Sequence, residues 1–100
     1  MSQLSAPSLT EDQVLNAGIL RDTILSVQTK VIARSYQIEK DDPDEARRLM
    51  SKVSKIRPLW LEMKIRDDEH MTNQISHWSG LIREFNAGRE QAFWDAVDQL

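Results

Sequence analysis

His70 and His77 stand seven residues apart and share one face of a helix, with Asp67 and Glu69 close by in sequence. Imidazoles beside carboxylates can hold a divalent metal. A zinc site, however, needs three or four converging ligands at short spacings such as His-Glu-x-x-His, and that pattern is missing. The carboxylate pairs Asp41/Asp42 and Asp67/Asp68 could do acid–base work, but both fall where helices start and capping accounts for them. The chain has no cysteine, which removes thiolate nucleophiles, disulfides, iron–sulfur clusters and thiolate zinc sites. It also lacks a glycine-rich phosphate loop and a Gly-x-Ser-x-Gly elbow. The expectation is therefore a non-enzymatic protein with no catalytic residue, no cofactor and no metal.

What remains is charge. The chain has 13 basic and 16 acidic residues, a net of −3. Residues 47–66 hold seven of the basic ones (Arg47, Arg48, Lys52, Lys55, Arg57, Lys64, Arg66) against Glu62 alone, which makes this segment +6. The other residues carry six basic and fifteen acidic groups, or −9. Acidic clusters flank the basic block, Asp41, Asp42, Asp44 and Glu45 before it and Asp67, Asp68 and Glu69 after it. Opposed local fields of this kind bear on partner choice and association rate more than on fold.

Arg48, Lys52 and Lys55 fall in a narrow arc of one helix, set off from its apolar face. Such a stripe suits phosphates or acidic side chains on a partner. Its plain alternative is a solvated flank partly neutralised by acids from neighbouring helices. The carboxylates Asp41, Asp42, Asp44 and Glu45 suit a groove already lined with arginine and lysine, because such a groove is built for phosphate. Trp60 and Trp78 sit on apolar faces and read as core. Trp94 lies at the edge of the Phe93, Ala96, Val97, Leu100 stripe, where it serves either as an interface anchor or as packing against another helix of the same domain.

The elements that position these residues are helices. Apolar residues recur at three- and four-residue steps, and no Asn-Gly or Asp-Gly hairpin pair occurs. Residues 1–9 read as a flexible tail and 10–100 as one helical domain. Thr10 and Gln13 predict a capping box, Leu9 and Val14 a hydrophobic staple. A long first helix runs from Glu11 to near Lys40 and buries Ala17, Leu20, Ile24, Val27 and Val31, the stripe widened by Leu15, Ile19, Ile32 and Tyr36. Gly18 costs this helix about 1 kcal/mol relative to alanine unless another segment packs closely there.

Asp42 caps the second helix, Pro43 opens it and Glu45 completes a second box; Ala46, Leu49, Met50, Val53 and Ile56 form its buried face. Pro58 stops or kinks that helix. Leu59, Trp60 and Met63 make a short face. Asp67 or Asp68 caps a further helix with Met71, Ile75, Trp78, Ile82 and Phe85, ended by Asn86-Ala87-Gly88. The fold class is all-α, a compact bundle of four to five helices. The longest apolar runs are three residues, and the first residues carry neither a basic region nor an apolar stretch. A cytoplasmic protein with no membrane span is expected.

In profile, this short, acidic, cysteine-free, all-helical chain resembles the small inhibitors that phages and mobile elements make against host nucleic-acid machinery, anti-CRISPR proteins among them. The resemblance covers no motif residue by residue. It implies a stoichiometric binder that blocks a host protein complex, such as a CRISPR surveillance or nuclease complex. In that reading Asp41, Asp42, Asp44 and Glu45 meet a basic patch, Arg48, Lys52 and Lys55 meet acidic groups, and Trp94 anchors apolar contact. The alternative is a small DNA- or RNA-binding regulator that uses the 47–66 segment, with a homodimer as a compatible form. A structural adaptor whose exposed helix fits a partner's groove is a third class.

Overall fold

A computed structural model describes residues 8–100 and shows four longer helices and one single turn: α1 Glu11–Ile38, α2 Pro43–Ile56, α3 Pro58–Leu61, α4 Asp68–Asn86 and α5 Gln91–Asp98. No strand occurs among these residues. The expected tail falls on residues 1–9, of which 1–7 lie outside the described residues.

Local chemistry sets the boundaries. The Thr10 hydroxyl accepts from the Gln13 backbone N–H at 3.1 Å and the Gln13 side chain accepts from Thr10 N–H at 3.0 Å, so the box that opens α1 is complete. Of the two residues expected to staple this start, Leu9 is half-buried and Val14 remains 56% exposed. Asp42 accepts from Glu45 N–H at 3.2 Å and Pro43 takes the first position of α2. The second box is only half formed, because the Glu45 carboxylate turns to Arg48 instead of back to the cap.

Arg57 keeps helical dihedrals despite the proline after it, and Pro58, with no N–H to give, ends α2 and takes the first position of α3. Asp67, not Asp68, caps α4 through His70 N–H at 3.0 Å. α4 ends as its sequence suggests. Arg89 N–H bonds Glu84 O at 2.9 Å and Gly88 N–H bonds Phe85 O at 3.0 Å, a Schellman pair made possible by Gly88 at φ +88°.

α1 is the spine. α2 folds back along it, with the buried Ser35 hydroxyl donating to Ala46 O at 2.9 Å. α4 runs parallel to α1. Near their starts Gln13 Nε2 bonds Asp68 Oδ1 at 3.3 Å, and near the end of α4 Lys30 Nζ lies 5.1 Å from the Phe85 ring centre. α3 packs on α1 and α2, and α5 closes the ring by touching α4 and α2.

The core is one cluster: Leu20, Ile24, Val27 and Val31 of α1, Leu49 and Ile56 of α2, Met71 and Trp78 of α4, Phe93 and Val97 of α5. Ile75, Ile82, Phe85, Ala96 and Leu100 pack against it half-buried. The widened α1 stripe is narrower than expected. Leu15, Ile19 and Tyr36 are exposed, Met50 on α2 is exposed too, and Ile32 lies outside the core cluster. The reason is that one helix face meets its neighbours over only about 100° of arc. The bundle is drawn out along α1, measuring 63 × 25 × 18 Å. Among the described residues no helix is long and apolar enough to cross a membrane.

Candidate functional site

Asp41, Asp42 and Asp44 occupy the turn between α1 and α2 and the first turn of α2, all three exposed. Asp42 is committed to the cap. Asp44 pairs with Arg47 at 2.5 Å, yet its side chain is 91% exposed, so the pair is open to water and to competition by a partner. Asp41 has no side-chain partner among the described residues. These carboxylates project from a capped helix start, which fixes their backbone.

Glu45 begins a different arrangement. Arg48 grips its carboxylate with Nε and, at 2.8 Å, with Nη2, and reaches Asp98 of α5 with Nη1 at 2.7 Å. The hydrogen bond from Arg48 holds the Glu45 carboxyl below its ordinary 4.5; it outweighs the opposing effect of burial, and the charges of Arg48 and Arg34 act in the same lowering direction. Arg48 is pushed upward by the hydrogen bonds to Glu45 and Asp98. One turn further on, Lys52 Nζ donates to Asp98 O at 3.0 Å and Leu100 O at 3.1 Å. α5 has no basic residue in its own last turn, so Lys52 brings the positive charge that its carbonyl end favours.

The arc of Arg48, Lys52 and Lys55 is therefore split. Arg48 and Lys52 latch α5 to α2, and Lys55, exposed, has no partner among the described residues. Of the other basic residues in 47–66, Arg47 is paired with Asp44 and Arg66 is engaged within the chain. Lys55, Arg57 and Lys64 are left with exposed charge.

Trp94 is half-buried. Its ring meets Phe93 edge-on at 4.9 Å and Phe85 at 6.0 Å, and its Nε1 donates to Glu90 at 3.1 Å. The indole separates two surface grooves. A smaller one, about 160 Å³, is lined by Arg34, Glu45, Arg48, Leu49, Trp94 and Asp98. The larger, about 380 Å³, is lined by Lys30, Arg34, Phe85, Glu90 and Trp94 among others. The structure thus gathers Glu45, Arg48 and Trp94 around one groove, with Lys52 beside them on Asp98; Asp42 touches this group only through its cap on Glu45 N–H, and the Asp41, Asp44 and Lys55 side chains do not line the groove.

Arg34, Asp98 and Glu90 were outside the sequence-based site. Arg34 lies one helical turn beyond Lys30, a spacing that marks a shared cationic edge. No local signal points to Asp98, because its partner is 50 residues away. His70 is half-buried and His77 is exposed, packed edge-on against Trp78 at 4.9 Å. Among the described residues no three metal-ligating side chains converge. No protein-family model, curated protein or solved structure shows a significant match to the chain.

Proposed function

We propose that the protein is a non-enzymatic interaction module of the anti-CRISPR kind, a phage or mobile-element inhibitor that docks on a host nucleic-acid-handling complex in the cytoplasm and blocks its nucleic-acid binding. The observation that carries this reading is the exposed carboxylate corner of Asp41, Asp42 and Asp44, held on a capped helix start. Carboxylates on a rigid backbone match a groove of arginine and lysine at a low entropic cost, and they compete there with phosphate. Glu45 and the edge of Trp94 extend the surface with a charged rim and an apolar contact.

The fate of the basic segment supports the same reading. Arg48 is paired with Glu45 and Asp98, Arg47 with Asp44, and the Lys52 ammonium is held by two backbone carbonyls, so fewer of the basic side chains that a nucleic-acid regulator needs stand unengaged. That alternative rests on Lys55, Arg57 and Lys64.

The test is guide-directed DNA binding by purified CRISPR surveillance and nuclease complexes, with and without the protein. Stoichiometric loss of binding by one of them, restored when Asp41→Lys and Asp44→Lys are introduced, is the expected result. Salt-sensitive binding of the protein itself to generic duplex or single-stranded nucleic acid, abolished by reversing Lys55, Arg57 and Lys64, overturns it in favour of the regulator.

A further inference from the structure

α1 carries a second apolar stripe that the monomer covers only in part. Val14, Gly18, Leu25, Ile32 and Tyr36 follow one another at steps of four, seven, seven and four residues, which keeps them on one face, turned away from Leu20, Ile24, Val27 and Val31. Val14 is 56% and Tyr36 68% exposed, and the half-buried Leu25 and Ile32 stand outside the core cluster. Gly18 lies mid-helix with nothing within 4 Å of where a Cβ would sit. No neighbour among the described residues needs that space, and a mid-helix glycine is unfavourable without one that does.

The order of the steps reads the same in both directions about Leu25. We infer that this face is a two-fold interface in which α1 packs antiparallel against α1 of a second copy. An isologous contact requires a patch complementary to itself. Centred on Leu25, the antiparallel register sets Val14 against Tyr36 of the second copy, Gly18 against Ile32, and Leu25 against its own equivalent. The missing side chain of Gly18 is then the hole that receives Ile32. Leu15, 61% exposed beside the stripe, comes to Ala33 of the second copy.

Charge chooses the orientation. Glu11 opens α1 and Lys40 stands just past its end, both toward the same flank of the stripe. The antiparallel pair sets Glu11 next to Lys40 of the second copy, twice over. A parallel pair sets Glu11 against Glu11 and Lys40 against Lys40. The contact spans about 33 Å of helix from Val14 to Tyr36 at 1.5 Å per residue. It stands independently of the inhibitory reading above, since neither requires the other.

Sedimentation velocity on the full chain over a range of concentrations tests the inference, with a reversible monomer–dimer equilibrium as the expected result. Leu25→Glu puts two carboxylates face to face on the two-fold axis and raises the dimer dissociation constant at least ~10-fold. Because the chain has no cysteine of its own, single cysteines read the register directly. With a short bismaleimide linker, Leu25→Cys should link to itself, and a mixture of Val14→Cys and Tyr36→Cys should link across. Val14→Cys alone should not. The cysteine series decides the matter even if Leu25→Glu fails to fold. A monomer at every concentration, a dimer indifferent to Leu25→Glu, or self-linking of Val14→Cys overturns the inference.

Discussion

Arg48 of α2 and Asp98 of α5 are joined at 2.7 Å across 50 residues of sequence, and the same guanidinium grips Glu45 one turn back on its own helix. One side chain thus ties the shortest terminal element to the hairpin of α1 and α2. Replacing Arg48 with alanine should lower stability by about 1 kcal/mol, since the guanidinium is half-exposed but bonds Glu45 twice and Asp98 once. Urea unfolding of Arg48→Ala, Asp98→Ala and the double variant checks this. A coupling energy indistinguishable from zero would show that the latch contributes nothing.

Phe93 is the apolar counterpart of that latch. It is fully buried and meets Phe85 and Trp94 edge-on at 4.9 Å each. Phe93→Ala should cost about 3–5 kcal/mol, several times the Arg48 effect, because it leaves a cavity where α5 meets α4. Amide exchange should then show α5 opening ahead of the other helices; retention of native protection in α5 contradicts the assignment.

Ser35 adds a polar seam. Its hydroxyl, 3% exposed as a residue, donates to the Ala46 carbonyl between α1 and α2. Ser35→Ala removes one neutral hydrogen bond and leaves no donor stranded, so a loss of about 1 kcal/mol is expected in chemical denaturation. Ser35→Leu, which overfills a buried site, should cost more.

Why some of this was legible in the sequence and some not follows from the range of each interaction. Thr10 with Gln13, Asp42 with Pro43, Asp67, and Asn86-Ala87-Gly88 mark boundaries because capping is decided within three or four residues. The α1 core of Leu20, Ile24, Val27 and Val31 shows itself through its period. Periodicity alone does not set the width of a buried face, so Leu15, Ile19 and Tyr36 were assigned to the core when they are exposed. For Arg48 and Lys52 the sequence leaves both a partner contact and neutralisation by neighbouring helices open, because their α5 partners lie about 50 residues away and only the fold brings them together.

The Glu45–Arg48 pair gives stability a pH dependence of known sign. The carboxyl is held below 4.5 in the folded chain, chiefly by the Arg48 hydrogen bond, and returns to its ordinary value on unfolding. Its contribution is therefore complete above about 4.5 and is lost as pH falls through the lower, folded value. Glu84, bonded by Arg89, behaves in the same direction. Glu45→Gln should be less stable than the parent protein at neutral pH by a few tenths of a kcal/mol and should lose the difference in acid. A constant difference across the acid limb would place the effect elsewhere.

The acidic corner separates folding from docking at the level of single residues. Asp42 accepts from Glu45 N–H and is required by the helix, so Asp42→Ala should cost about 1 kcal/mol. Asp41 has no side-chain partner among the described residues, and Asp44 is 91% exposed and paired with Arg47. Asp41→Lys and Asp44→Lys should change the unfolding midpoint little, with Asp44→Lys losing a small amount through repulsion of Arg47 and an unfavourable charge in the first turn of α2. If a basic groove is the target, those two reversals should weaken inhibition at least ~10-fold through both dissociation and association rate, and most strongly at low salt. Asp42→Asn keeps a capping oxygen while removing one charge, and it should fall between the parent and the reversals. Inhibition that tracks thermal stability across this series, instead of the charge of the corner, would assign these carboxylates to folding alone.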